Sequence, residues 1–236
     1  MKVELTSLLS LLVWAGALVA LALGIVTGDT LLILGAGGAI AMALLPVFYS
    51  KLSGIVIPDG LREGILVFCL AAFVAGEWGG LYKDDLVWDT TLHVVASAVL
   101  AMTGYALALL ATAGAPPRTG LWILSLLAVG LASTVGAIWE LFEATVDALF
   151  GTNAQRSGLP DTMGDIAANL VGAIYGAVAG QIALRTGRRL PLSGLLLAAL
   201  RRNPVVFGAY PGVPFPRHEA LRNTTDADPA MEHSTS

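Results

Sequence analysis

Charge is the first thing this sequence is short of. Asp, Glu, Lys and Arg make up 13% of its 236 residues, where a soluble domain has about 25%. Apolar residues reach 56% and the mean hydropathy is +0.77. A water-soluble domain of ordinary composition and a basic nucleic-acid surface are both excluded by this balance. A lone cysteine, Cys69, rules out an intramolecular disulfide and a paired-cysteine metal motif. Histidine is scarce too: of three, only His93 falls in an apolar run, and no H-E-x-x-H pair exists. There is no Walker loop, no G-x-S-x-G elbow, and no alternating pattern of an outer-membrane barrel.

What is present is a series of apolar runs near the ~20 residues that a helix needs to cross about 30 Å of hydrocarbon. Glycine and proline punctuate six of them, at about 7–27, 30–50, 62–80, 87–113, 120–150 and 162–185. The breaks are Thr27-Gly28-Asp29, Pro58-Asp59-Gly60, Gly79-Gly80, Gly114-Ala115-Pro116-Pro117, Gly151-Thr152-Asn153 and Leu159-Pro160. The N-terminal run is too long for a signal-peptide core and ends without a cleavage site, so it is read as a retained span. The expected fold class is an all-α, polytopic membrane helix bundle of about six transmembrane helices over residues 1–186. Residues 187–202, with Arg188-Arg189 and Arg201-Arg202 around a short apolar stretch, are expected to lie on the membrane surface. Residues 203–236 are expected to form a disordered cytoplasmic tail.

Loop charge gives an orientation. The side bearing the N-terminus, the 51–62 and 114–119 loops and the C-terminal segment receives eleven Lys and Arg and seven acidic residues. The opposite side receives only Lys83 and Arg156, against ten acidic residues. Positive residues mark the cytoplasmic side, so both termini are expected inside, in an inner or plasma membrane.

The acidic excess on the other side is not randomly placed. Glu77 closes the third span, Asp89 and His93 open the fourth, Glu140, Glu143 and Asp147 end the fifth, and Asp161, Asp165 and Asn169 open the sixth. At 100° per residue, Glu140, Glu143 and Asp147 fall within roughly 60° on one helix face. A charged residue at mid-membrane costs roughly 2.5–3.5 kcal/mol on insertion scales, so such groups face a bundle interior or a wet cavity and are functional candidates. With so little Lys or Arg nearby, a bound cation, protonated carboxyls or hydration must offset the charge. Plainer roles compete: Asp161 as a helix N-cap, Asp89 as a partner of the helix dipole, Asp147 and Glu77 as hydrated interfacial groups, His93 as a satisfied buried histidine. Gly172, Gly176 and Gly180 form a small-residue stripe that is read as helix packing.

Carboxylates with one imidazole suit a divalent metal ion of unspecified identity. The expected ligands are Asp89, His93, Glu140, Glu143 and Asp165, with Glu77 and Asp161 as acid–base groups. One ion is expected rather than two, because a di-metal bundle favours Glu-x-x-His on two helices. The first functional reading is a metal-dependent or acid–base enzyme acting on a lipid-like substrate. A proton- or cation-coupled transporter and a non-catalytic membrane accessory protein are the alternatives. Membrane lipids are the expected surroundings, and no nucleic-acid partner is expected.

The residues Trp88-Asp89-Thr90-Thr91-Leu92-His93, Trp139-Glu140-Leu141-Phe142-Glu143 and Asp161-Thr162-Met163-Gly164-Asp165 resemble, in order, the YDxxxH, YExxE and DTxxDM motifs of the YjdF-like family of bacterial inner-membrane proteins. Gln155 matches as well, and Trp88 and Trp139 stand where the pattern has Tyr. More distantly, the order ending in Asp165-x-x-x-Asn169-x-x-Gly172 is similar to VanZ-like membrane proteins. The resemblance covers about residues 62–185 and implies a polytopic membrane protein with its site at these positions.

Overall fold

A computed structural model describes residues 2–58, 60–84, 86–111, 120–208 and 212–213. The 114–117 breaker, Asp59 and most of the expected tail lie outside the described residues. The chain is all-helical through most of its described length. In order come α1 (Lys2–Thr27), α2 (Thr30–Ser53), α3 (Leu61–Cys69), a π-helix (Leu70–Trp78), α4 (Leu81–Asp84), α5 (Leu86–Leu110), α6 (Leu121–Phe150), α7 (Leu159–Thr186), α8 (Ser193–Arg202) and α9 (Pro204–Phe207). Five helices among the described residues, α1, α2, α5, α6 and α7, are long and apolar enough to cross a membrane. Their outward faces are rich in exposed Leu, Val, Ile and Phe, as a lipid-facing bundle requires.

The third predicted span differs in kind from the others. Residues 61–78 are continuously helical, but the hydrogen bonding changes from α to π after Cys69. At its end the Gly79 N–H reaches the Val74 carbonyl, five residues back, at 2.7 Å. The i→i+5 pattern is rare and marks functional sites more often than plain spans. Here it presents Ala72, Phe73 and Glu77 to an interior cavity. The α7 start also departs from expectation. Pro160 does not precede the helix but sits in its first turn, where its missing N–H costs nothing.

The helices form two packed groups. In one, α1, α2, α3 and the π-helix meet around Ala17, Ala39, Ala43, Leu66 and Cys69. In the other, α5, α6 and α7 pack around Ala101, Tyr105, Ala128, Ala132, Ala173 and Ala177. The α8 helix lays Leu196, Leu197 and Leu200 into this second core and leaves Arg201 and Arg202 exposed.

The α5–α7 pair is the most extensive contact, and glycine makes it so. A Cβ at Gly172 would overlap the Val94 carbonyl, and one at Gly176 the Ala98 carbonyl. The small-residue stripe thus brings two backbones together where polar groups are to meet. Near the opposite end, the buried Tyr105 hydroxyl donates to the Leu121 carbonyl at 3.0 Å, and Ser125 donates to Gln181 Oε1 at 2.7 Å.

Candidate functional site

Asp89, His93 and Ser97 are successive i, i+4 positions on α5, so one stripe carries all three. Asp165 and Asn169 repeat that spacing on α7, and Glu140 and Glu143 lie on the α6 face turned towards them. Gly136 completes the approach of α6, since a Cβ there would lie 2.8 Å from Asn169 Nδ2.

The His93 ring is held between these helices. Its Nε2 lies 3.5 Å from Asp89 Oδ1 and 3.6 Å from Asp165 Oδ1. Its Nδ1 lies 3.3 Å from Asn169 Oδ1, and the Ser97 hydroxyl donates to the same oxygen at 2.7 Å. An amide oxygen at Nδ1 calls for the N–H on that side. In the neutral ring the Nε2 lone pair then faces two carboxylates. Three acceptors converging in this way suit a metal ion or a shared proton, carried by the ring or by one of the carboxyls.

The carboxylates form two groups that share a member. One oxygen from each of Asp89 and Asp165 and a His93 nitrogen lie within 4.8 Å of one another, and so do single oxygens of Glu140, Glu143 and Asp165. Glu140 is only 4% exposed, and both of its oxygens lack a hydrogen-bond partner among the described residues. Glu143 accepts the Trp139 indole N–H at 3.0 Å. All five sequence-predicted ligands are therefore brought together.

The remaining acids are elsewhere engaged. Glu77 Oε1 accepts from Arg156 Nη2 at 2.8 Å, and Asp161 Oδ2 accepts the Arg156 backbone N–H at 3.2 Å. Asp161 lies in the first turn of α7, which is preceded by Gly158, so it is not the N-cap. Asp147 is not a site group either. Its carboxylate takes Thr152 Oγ1 at 2.6 Å and the N–H groups of Ala154 and Gln155 at 2.7 and 2.8 Å, which shapes the α6–α7 loop.

That loop delivers Arg156 to the site. Its guanidinium lies 4.2 Å from the centre of the Tyr82 ring, a cation–π distance. The ring edge occupies the space that a side chain at Gly76 would fill. Burial holds the Tyr82 hydroxyl well above the usual tyrosine range, and the nearby Asp89 and Glu77 charges add to the effect. Ser97 and Gly136 were not singled out from the sequence, which offered Tyr82 only as an interfacial or pocket-entrance aromatic and Arg156 only as a loop cation. Of the first two, only Ser97, one turn beyond His93 on a polar stripe, carried a visible signal.

A cavity of about 340 Å³ opens against these residues. Glu77, Tyr82, Asp89, His93, Glu143, Arg156 and Asn169 give it a polar end, while Met42, Phe68, Phe73, Leu92, Leu100 and Val135 make its walls apolar. Met42 also borders a second cavity of about 460 Å³, lined by Leu45, Pro46, Val99, Met102, Leu107 and Leu196 among others. Pro46, inside α2, has no N–H to offer the Met42 carbonyl, so the helix is locally weakened at the residue that lines both cavities.

Fold and site together define an all-helical polytopic membrane protein with a carboxylate–histidine centre buried among three of its helices. Residues 8–186 match the family described as "Predicted membrane protein (DUF2238)", and the chain belongs to that family. The match takes in all five long apolar helices and every member of the centre. No curated protein and no solved structure matches the chain.

Proposed function

We propose that this protein is a metal-dependent membrane enzyme whose site, near the extracytoplasmic face, acts on an amphiphilic, lipid-like substrate. The observation that supports this reading best is the His93 ring. Its Nδ1 is turned to an amide oxygen, and its Nε2 faces two carboxylate oxygens at 3.5 and 3.6 Å. A metal-bound histidine has this arrangement, with the outer nitrogen fixed by a hydrogen bond. A divalent ion at Asp89, His93 and Asp165 would act as a Lewis acid or lower the pKa of a bound water. Glu140 and Glu143, within reach of Asp165, complete the same centre.

The cavity supports the substrate class. Its polar end adjoins the centre and its other walls are apolar, which suits a headgroup at the metal with a hydrocarbon chain behind it. Glu77, on the cavity wall, serves as the acid–base group of this reading. Asp161 has a second acid–base role or, through its bond to Arg156, a positioning one. The extracytoplasmic placement and the cytoplasmic termini rest on loop charge, and the six spans, the third at about 62–80, rest on the apolar runs and their Gly and Pro breaks.

Elemental analysis of protein purified without chelator tests the reading, together with turnover of a membrane-lipid extract in nanodiscs. Wild type should retain stoichiometric divalent metal and convert a lipid component only when metal is present. His93→Ala should lose the turnover and hold less metal than wild type. Wild type free of stoichiometric metal, even after reloading, would overturn the proposal.

A further inference from the structure

Four carboxylates meet in the centre just described: Asp89, Asp165, Glu140 and Glu143. Among the described residues that line the adjoining cavity, Arg156 is the only Lys or Arg, and it is committed to Glu77 at 2.8 Å. One divalent ion would leave two negative charges in a site of low dielectric, which is costly. A second ion brings the four carboxylates and a neutral imidazole to zero net charge.

The geometry already divides the ligands in this way. Asp89, His93 and Asp165 form one group within 4.8 Å, and Glu140, Glu143 and Asp165 form the other. A single ion on the first group leaves Glu140 unserved, although it is 4% exposed and neither oxygen has a hydrogen-bond partner among the described residues. A buried carboxylate with no hydrogen bond, set within ligand distance of two others, is an observation separate from the acidic cluster itself. Asp165, on α7, is common to both groups, as a bridging carboxylate would be.

Resting on the metal-dependent reading above, we propose that the centre is binuclear. It would hold two divalent cations of the oxygen-preferring class (Mg²⁺, Mn²⁺ or Fe²⁺), bridged by Asp165. The first ion takes Asp89 and His93, the second Glu140 and Glu143. Two-metal centres place their ions about 3.5–4 Å apart and clamp both the attacking and the leaving oxygen of a displacement. For a lipid-like substrate this favours a phosphate or carboxylic ester as the bond broken.

Mn²⁺ is the probe. Chelator-treated full-length protein in detergent is titrated with Mn²⁺, and bound metal is counted by equilibrium dialysis and examined by electron paramagnetic resonance. Wild type should bind two ions with an exchange-coupled spectrum. Glu140→Gln/Glu143→Gln and, separately, Asp89→Asn/His93→Ala should each bind one, with the six-line signal of an isolated ion. Asp29→Asn, away from the centre, should still bind two.

Monodisperse elution and an unchanged helical circular dichroism spectrum establish that each variant is folded. The two complementary pairs also keep the test independent of either one. One ion per wild-type chain, uncoupled, overturns the binuclear proposal and leaves the mononuclear reading standing. No stoichiometric ion overturns both. Two ions that persist in both double variants mean surface binding, and the proposal fails.

Discussion

His93 Nε2 and Asp165 Oδ1 stand 3.6 Å apart across the α5–α7 contact, and glycine sets that distance. One and two turns beyond Asn169 on the same helix region, Gly172 and Gly176 lie directly against the Val94 and Ala98 carbonyls of α5. The polar centre exists because two backbones approach closely beside it. Neither its ligands nor its glycines would suffice alone.

Gly172→Ala should therefore damage the centre without touching a ligand. Its Cβ would overlap the Val94 carbonyl, and overpacking of this kind costs about 1–3 kcal/mol. A lower unfolding midpoint in detergent and weaker Mn²⁺ binding should appear together. Wild-type values for both would mean that the helices need not meet so closely.

Asn169 and Ser97 act at one remove from any ion. Ser97 is 1% exposed and donates to Asn169 Oδ1, which faces His93 Nδ1. Losing such an outer partner typically lowers metal affinity about 10–100-fold. Asn169→Ala should fall in that range and Ser97→Ala by less, with the number of bound ions unchanged. If dialysis gave wild-type affinity for Asn169→Ala, the histidine would be oriented by something else.

Glu140 gives a prediction whose sign changes with metal. An unpartnered buried carboxylate destabilises the empty protein, so Glu140→Gln should raise the melting temperature after chelation. Saturating metal stabilises whatever binds it, by about 2.7 kcal/mol at a hundred times Kd. Wild type should then become the more stable of the two. Thermal unfolding with EDTA and with Mn²⁺ checks both orders, and a Gln variant that is less stable in both would refute the account.

Much of this was legible beforehand because charge in a membrane is expensive. Asp89, His93, Glu140, Glu143 and Asp165 stand out against apolar runs, and helical spacing alone predicts that they turn inward. The π-helix was not legible, since its i→i+5 bonding leaves no hydrophobic period of its own in nine residues. Nor was the division into two groups sharing Asp165, which depends on how three helices are rotated against one another. The place of Asp147 was legible only in part, since the sequence offered a hydrated interfacial role for it. It shares a helix face with Glu140 and Glu143, but it sits a turn beyond them, where the loop's N–H groups take its carboxylate. Arg156 looked like an ordinary loop cation until the fold placed it between Glu77 and Tyr82.

Asp29 carries a pH signature outside the helices. It caps α2 by accepting the Leu32 N–H at 3.1 Å and also accepts the Trp78 indole N–H at 2.7 Å. These bonds, Leu32 first, hold its carboxyl below the ordinary value near 3.8. A lowered pKa contributes stability above that ordinary value and loses it as the pH falls through the folded value. Asp29→Ala should therefore lower the melting temperature at pH 7, with a gap from wild type that narrows below about pH 4. A gap independent of pH would mean that the ionised cap adds nothing.

Orientation is testable with two single cysteines. Asn153, in the α6–α7 loop, and Arg188, after α7, are both exposed and lie at opposite ends of that 28-residue helix. Cys69 is buried in the α2–α3 core, and Cys69→Ser removes it as a competing thiol. Loop charge puts Asn153 outside with the carboxylate centre and Arg188 inside with most of the Arg residues. In intact cells, a membrane-impermeant maleimide should label Asn153→Cys directly and Arg188→Cys only after permeabilisation. The reverse pattern would invert the protein and turn its centre to the cytoplasm. Equal labelling of both in intact cells would mean that α7 does not cross the bilayer.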